Sequence, residues 1–116
     1  MSYVDGFVVG VPVDKKEVYR EHAAKAAAIF KEHGATRVVE AWGDDVPSGK
    51  VNDFKTAVHA KSNEVVVFSW VEYPNKAVRN AAVEKVMSDP RMKELGAMPF
   101  DGQRMIIGGF ETILDR

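Results

Sequence analysis

The sequence predicts an α+β fold in which two helices cover one face of a four-stranded antiparallel sheet. Segments with strand character alternate with two segments of helical periodicity, in the order strand, helix, strand, strand, helix, strand. Two right-handed crossover connections place both helices on the same face of such a sheet. Residues 64–73 are apolar on both faces of a strand, so the second face of the sheet requires another covering layer.

The first part of the chain predicts a strand followed by a helix. Residues 3–11 are rich in valine and form the strand, in which Gly6 and Gly10 share a face on which a helix can pack closely. Asp14 and Glu17 fit a capping box at the start of the helix. The apolar residues that recur at helical spacing are Tyr19, Ala23, Ala26, Ala27 and Phe30.

The middle of the chain predicts the next strands and the second helix. Residues 37–42 have the pattern of a strand, and residues 54–60 alternate well enough for a further short strand. The long apolar strand over residues 64–73 follows, and the second helix begins after Pro74. The buried stripe of that helix is expected to comprise Val78, Ala81, Ala82, Val86 and Met87.

The last predicted elements are a short helix and a final strand. Asp89 and Pro90 suit the start of the short helix, because aspartate caps helices and proline is tolerated at the first helical position. The final strand covers residues 104–114 and contains Gly108 and Gly109. Glycines inside a strand mark either a bulge or a close approach of the backbone to another group.

Composition indicates one domain and gives no charge signal for a partner. The 116 residues fit a single domain over residues 1–116, and 16 basic against 17 acidic residues give a net charge of −1. This balance argues against electrostatic attraction to nucleic acid or to an anionic membrane. Cysteine is absent, which excludes disulfides and thiolate chemistry. No signal-peptide pattern and no run of ~18 apolar residues occur, so we expect a soluble, cytoplasmic protein.

Several segments resemble a known family over nearly the whole chain. The matching segments are residues 3–9, 39–42, 45–51, 66–74, 87–92, 98–102, 104–106 and 108–110. They are similar to the YbaA-like family of small bacterial proteins of unknown function, which belongs to the dimeric α/β-barrel superfamily. The resemblance implies a ferredoxin-like subunit and a homodimer whose two sheets stack into a barrel. It implies little about activity, because the superfamily includes cofactor-free monooxygenases, haem-binding and haem-degrading proteins, isomerases and members without a known reaction.

The size of the second sheet face also favours a homodimer. Four strands of about eight residues, at ~3.3 Å rise and ~4.8 Å separation, expose on the order of 500 Å² on that face. This area is at the upper end of what soluble monomers leave exposed. At about 25 cal/mol/Å², its burial contributes roughly 10 kcal/mol before association costs of similar size.

A first candidate site lies at the end of the second strand. Glu40, Trp42, Asp44 and Asp45 gather carboxylates and an indole where the mouth of a barrel can lie. Paired carboxylates can do acid–base work when burial separates their pKa values. In the alternative interpretation, Asp44 and Asp45 are solvated loop residues that cap a turn.

A second candidate site is a ligand pocket that contains Trp70, Glu72, Arg104 and Glu111. The two glutamates interrupt apolar strands, and a carboxylate in an enclosed lumen is costly unless it meets Arg104 or a ligand. Trp70 shares a side of its strand with Glu72, so the two either line a site together or lie under a helix together. In the alternative interpretation, the charged residues lie at strand ends and reach water.

The sequence predicts no metal site and no tightly bound cofactor. His22 and His33 are eleven residues apart on the first helix, which at ~1.5 Å per residue is too far for joint chelation. No G-x-S-x-G turn, Walker loop or dinucleotide fingerprint occurs. The leading interpretation is a homodimer that binds or transforms a small, partly apolar molecule, and the residues are compatible with an enzyme and with a binding protein.

Two alternatives to this interpretation remain open. The RNA-recognition motif has the same element order, and residues 68–73 partly resemble its base-stacking strand. However, Val66 and Val67 replace the basic residue and glycine expected ahead of the aromatics, and the net charge is slightly acidic, so nucleic-acid binding is disfavoured. The other alternative is a structural or regulatory dimer whose lumen is packed with side chains.

Overall fold

Four antiparallel strands form one sheet in a computed structural model that describes residues 2–116. The elements are β1 (Tyr3–Pro12), α1 (Lys16–Glu32), β2 (Arg37–Trp42), α2 (Phe54–Ala57), β3 (Glu64–Tyr73), α3 (Lys76–Met87), α4 (Pro90–Glu94) and β4 (Ile106–Glu111). The strand order is β2-β3-β1-β4, with every neighbouring pair antiparallel. This is the predicted ferredoxin-like α+β fold. Within residues 2–116, no helix has the length and apolar character that a membrane crossing needs.

The starts of α3 and α4 are capped by side chains, the second of them as predicted. Asn75 caps α3 by accepting a hydrogen bond from the backbone N–H of Val78, and Asp89 caps α4 in the same way ahead of Pro90. The predicted capping box at α1 does not form. A 3₁₀ turn over Val13–Lys15 leads into α1, and Glu17 pairs instead with Arg20 one turn further along the helix.

Two apolar clusters join the helices to one face of the sheet. Tyr19 of α1 packs against Val9, Val11 and Val67 of the central strands. Ala82 of α3 packs in the second cluster, whose other buried members are Ala35, Val71 and Tyr73. In α3, Ala82 and Val86 are buried as predicted, but Ala81 is exposed and 76% of Met87 is accessible to solvent. Met87 follows the buried Val86 directly, so at 3.6 residues per turn its side chain is rotated about 100° away from the buried stripe.

The prediction of a short strand over residues 54–60 is wrong, because this segment contains α2. Asp53 caps this helix by accepting from the N–H of Thr56, and the N–H of Ala57 bonds to the carbonyl of Asp53. The alternation of apolar residues has another cause. Val58, which follows α2, is fully buried against Val8 and Val66 and covers one end of the second sheet face.

The glycine face of β1 points away from the helices, contrary to the sequence-based expectation. Gly6 lies opposite Trp70 on one side and opposite Gly108 on the other, and residues that pair across antiparallel strands share a face. The opposite face of β1, which carries Val9 and Val11, packs under α1. The larger side chains of β1 therefore make the helix contact.

Strand β4 is shorter than the predicted strand over residues 104–114, and its glycines mark a close approach rather than a bulge. Gly108 and Gly109 pair one-to-one with Gly6 and Asp5, so the ladder is regular. A Cβ atom on Gly109 would lie 2.5 Å from the Tyr3 hydroxyl oxygen. Only glycine fits here without displacing that neighbour.

Candidate functional site

The sheet face opposite α1 and α3, called the open face below, carries a concave apolar groove of about 630 Å³. The residues that line its base and walls are Val4, Gly6, Val8, Phe68, Trp70, Ile106, Gly108 and Phe110. They come from β1, β3 and β4, and the register places them on one face. Ligand sites are typically concave and mostly apolar, so this groove is the candidate functional site.

Glycines form the base of the groove beneath an aromatic ring. A Cβ atom on Gly108 would lie 3.2 Å from two ring carbons of Phe110, and one on Gly6 would lie 3.5 Å from the same ring. The missing side chains therefore let the Phe110 ring lie close over the backbone of two strands. Phe110 is nevertheless 61% exposed, because no residue among 2–116 covers the outer side of its ring.

Three aromatic rings form a continuous wall along the open face. Phe54 of α2 meets Phe68 edge to face, with ring centroids 6.0 Å apart. Phe68 in turn meets Trp70 at 5.7 Å. Aromatic pairs at such separations stabilise each other beyond simple burial, so the wall is a preformed surface.

The end of the groove is polar. Glu72 lies opposite Val4 of β1 and opposite Arg37 of β2. Its Oε2 accepts a hydrogen bond of 2.8 Å from the indole Nε1–H of Trp70, and a guanidinium nitrogen of Arg37 lies 3.5 Å from the same oxygen. The Glu72 side chain is 31% exposed and that of Arg37 is 65% exposed. The sequence-based expectation that Trp70 and Glu72 share a side is met on the open face, not under a helix.

Arg104 does not reach Glu72, so the predicted grouping of these residues is wrong. Its guanidinium makes two hydrogen bonds of 2.7 Å to Glu64 and also binds the carbonyl of His59 and the carboxylate of Asp101. Glu64 and Glu72 stand at opposite ends of β3, on the order of 26 Å apart at ~3.3 Å per residue. The hydrogen bonds from Arg104 lower the pKa of Glu64 to about 2, which marks Arg104 as a structural clasp.

Glu111 also lies apart from Glu72. It pairs opposite Tyr3, whereas Glu72 pairs opposite Val4, and successive residues of a strand point to opposite faces. Glu111 is exposed on the helix side of the sheet edge. The carboxylates of Glu72 and Glu111 therefore cannot act on one ligand in the groove of a single subunit.

Glu40 and Trp42 lie on the helix side of β2. The Tyr19 hydroxyl donates a hydrogen bond of 2.5 Å to Glu40, whose residue as a whole remains exposed at the sheet edge. Burial of the carboxyl end raises the pKa of Glu40, although the hydrogen bonds from Tyr19 and Ser69 oppose this shift. Trp42 packs at the edge of the Tyr19 cluster, with the Lys16 ammonium 5.5 Å from its ring centroid. Neither residue faces the groove.

Asp44 and Asp45 are exposed in the loop that follows β2. The first predicted site is therefore not a single site. Glu40 and Trp42 lie on the helix side of the sheet, whereas Asp44 and Asp45 are solvated loop residues. Of the residues predicted as sites, the structure brings only Trp70 and Glu72 together at the groove. Sequence reasoning missed Arg37, although its spacing from Val39 and Ala41 was a signal that it shares their face and not that of Glu40.

The described part of the chain, residues 2–116, contains no group of three or more histidine, aspartate or glutamate residues placed to hold a metal ion. The open face carries few charges, since the strand register puts Glu64, Glu72 and Arg37 there and Glu64 is already bound by Arg104. The arrangement suits an apolar molecule with one polar group at the Glu72 end.

A family model described as "Protein of unknown function (DUF1428)" matches residues 2–102. The uncharacterised protein YbaA of Escherichia coli strain K12 is 69% identical over 116 residues, which cover 99% of each chain. Among solved structures, an uncharacterised NIPSNAP domain protein from Burkholderia xenovorans has a TM-score of 0.61 at 15% identity, covering 95% of this chain and 93% of the other.

A second solved structure shares the fold. It is described as a dimeric ferredoxin-like protein from an uncultured marine organism, with a TM-score of 0.61 at 12% identity. The match covers 99% of this chain and 98% of that chain. At such low identities the likeness shows the fold alone.

Proposed function

The chain belongs to the DUF1428 family of proteins of unknown function, and from this premise we propose that two copies join through their open faces and enclose a lumen that binds a small, partly apolar molecule. The observation that carries the proposal is the apolar groove of about 630 Å³ on a sheet face that residues 2–116 cover only at one end. Binding requires no tightly bound cofactor.

A second copy of the chain is the occupant that best fits the open face. Phe68, Ile106 and Phe110 are 44%, 47% and 61% exposed, which is costly for large apolar side chains that line one groove. Burial of on the order of 500 Å² from each of two copies gives about 1,000 Å² in total, at the lower limit of specific interfaces. The description of one structurally similar protein as dimeric supports this choice.

The shape of the groove supports a lumen rather than a solid interface. Facing sheets lie about 10 Å apart, and the space between them is normally filled by side chains from both sheets. Gly6 and Gly108 contribute no side chain to that space, and each lies beneath the single ring of Phe110. Two stacked copies therefore retain a cavity lined by aromatic and aliphatic groups, with Glu72 at its polar end.

The charges of the open face disfavour the RNA-binding alternative. An RNA-binding sheet needs cations to meet phosphates, whereas Arg37 is the one basic residue that the register puts on this face of residues 2–116, and it lies beside Glu72. We also propose that the dimer is cytoplasmic, and the absence of cysteine is compatible with a reducing compartment.

The mass of the protein in solution tests the dimer. We expect sedimentation equilibrium at micromolar concentrations to give twice the chain mass of 12.8 kDa. Ile106→Lys, which places a charge in the buried centre of the interface, should give the monomer mass. Val18→Lys is the matched control, because Val18 is 56% exposed on α1, on the other side of the molecule, and should leave the dimer intact.

Acrylamide quenching of tryptophan fluorescence tests the lumen. In a Trp42→Phe background, the remaining Trp70 should be protected in the dimer and accessible in Ile106→Lys. A wild-type chain that stays monomeric at about 100 µM would remove the proposal, and salt-sensitive binding of single-stranded RNA to that monomer would favour the alternative.

A further inference from the structure

We propose that the molecule bound at the open face carries a protonated amine on an apolar, preferably aromatic, body, and that Glu72 receives this amine. The inference rests on the proposed function and specifies the chemical class of its ligand. The argument depends on three features of the groove, which are its lack of a free donor, its free carboxylate oxygen and its aromatic wall.

Among the described residues that line the groove, no side chain offers a free donor to a ligand. Its lining side chains are hydrocarbon except for the indole of Trp70, and the single N–H of that indole is already donated to Glu72 at 2.8 Å. A ligand carbonyl or carboxylate placed here would leave its lone pairs unsatisfied, at a cost that disfavours binding.

Glu72 retains an acceptor at the end of the groove. The contacts from Trp70 and Arg37 both fall on Oε2, which leaves Oε1 available among the described residues. An ionised carboxylate has about four lone-pair sites, so one further donor can bind without breaking the bond to Trp70. That bond also fixes the direction of the carboxylate. The polar group that matches this end of the groove is therefore a hydrogen-bond donor.

The aromatic wall favours a donor that carries positive charge. Trp70 of this wall lies directly beside Glu72 through its hydrogen bond, Phe68 lines the groove next to Trp70, and ring faces attract a cation within about 6 Å. A protonated amine gains this attraction together with a charge-assisted hydrogen bond to Glu72, whereas a neutral donor gains neither in full. The rest of the ligand replaces water against the hydrocarbon walls.

Arg37 acts as a weak competitor for Glu72. Its nearest nitrogen lies 3.5 Å away, longer than a good hydrogen bond, and its side chain is 65% exposed. Exposed ion pairs of this kind contribute little, because solvent screens them. An amine at hydrogen-bond distance can displace Arg37, which then turns toward water at the sheet edge.

Three probes that share a phenyl group test the inference on the full-length protein. Phenethylamine, ethylbenzene and 3-phenylpropanoate differ mainly in their terminal group, and calorimetric titration near pH 7 gives their dissociation constants. We expect phenethylamine to bind about tenfold tighter than ethylbenzene or better, and 3-phenylpropanoate to bind weakest. Glu72→Gln should remove the advantage of the amine. Glu111→Gln is the matched control, since it removes the same charge from the opposite face and should change no constant.

Arg37→Gln tests the inference through an expected gain in affinity. Removal of the competing cation should tighten phenethylamine binding several-fold. The inference would be overturned if 3-phenylpropanoate bound more tightly than phenethylamine and if Arg37→Gln removed this preference. Such a result would indicate an acidic ligand held by Arg37. Equal binding of all three probes, unchanged in Glu72→Gln, would overturn it while leaving the apolar lumen in place. If none of the probes binds to a monomeric wild-type chain, the inference and the proposed function fail together.

Discussion

Individual residues carry the largest constraints where two layers meet. Asp5 is buried in β1, and the guanidinium of Arg79 from α3 binds its carboxylate at 2.9 to 3.1 Å while lying 5.1 Å from the ring centroid of Tyr3. Removal of one partner from such a pair leaves an uncompensated buried charge. Gly109 lies directly against both Tyr3 and Arg79. The backbone of β4 thus limits how α3 can dock.

Gly109→Ala should therefore destabilise the protein. The added Cβ would lie 2.5 Å from the Tyr3 hydroxyl and 2.9 Å from a guanidinium nitrogen of Arg79, so both groups must move and the pair with Asp5 weakens. We expect a loss of about 1–3 kcal/mol in the free energy of unfolding, measured by urea denaturation. Gly102→Ala is the control, because a Cβ there meets nothing within 4 Å and should cost less than about 0.5 kcal/mol. Equal losses in both variants would contradict this account.

At the same scale, the sequence predicted that Trp70 and Glu72 share a side of their strand, whereas the predicted grouping of Arg104 with Glu72 was wrong. Residues two apart on one strand must share a face, so the first prediction needed only local geometry. The contact between Arg104 and Glu64 joins residues 40 positions apart and depends on the strand register. Alternation does not determine which strand ends meet across a sheet.

Among the elements, the clasp at Arg104 ties three segments together. It joins the start of β3 at Glu64, the carbonyl of His59 beyond α2, and Asp101 ahead of β4. The side chains of Arg104 and Glu64 are 17% and 4% exposed, so the pair is sheltered from solvent. The clasp holds α2 in place, where Val58 covers one end of the open face.

The clasp should make stability depend on acid. The pKa of Glu64 falls from 4.5 to about 2 in the folded protein because of Arg104. A lowered pKa contributes stability that is present above the unfolded value of about 4.5 and is lost as the pH falls toward about 2. Arg104→Gln should therefore lower the melting temperature by several degrees at pH 7 and by much less at pH 2.5, as measured by circular dichroism.

A matched arginine provides the control for the clasp. Arg20→Gln breaks the pair with Glu17, whose side chains are 70% and 68% exposed, and such pairs contribute little. Its melting temperature should stay close to wild type at both pH values. A deficit in Arg104→Gln that is as large at pH 2.5 as at pH 7 would show that packing, not the ion pair, is responsible.

The mistaken strand over residues 54–60 shows why elements were harder to predict than fold class. Its alternation of apolar residues matched a strand, but Asp53 three residues before Thr56 was a helix-cap signal of equal strength. A helix of four residues is too short for the periodicity of its apolar residues to distinguish a helix from a strand. The long segments, such as α1 and β3, gave the correct type because their patterns extend over 17 and 10 residues.

For the whole molecule, the fold follows from the order of the elements, but the cover of the open face does not. The sequence indicated that one face lacks a helical layer, and the structure shows that face with α2 and Val58 at one end and the groove beyond. Phe110 and Ile106 remain exposed among residues 2–116. The residue pattern of a single chain does not specify what covers that face.

If a second copy supplies that cover, stability must depend on protein concentration. For a folded dimer that unfolds to two separate chains, each tenfold rise in concentration adds about 1.4 kcal/mol of apparent stability by mass action. Between 1 and 100 µM, the apparent free energy of unfolding of the wild-type protein should therefore increase by about 2.7 kcal/mol, and its melting temperature should rise steadily. Ile106→Lys should melt at one lower temperature throughout this range, whereas Val18→Lys should follow the wild type. A wild-type melting temperature that is constant over the hundredfold range would mean that the open face stays exposed to water, and the groove would then have to bind its ligand as an open surface.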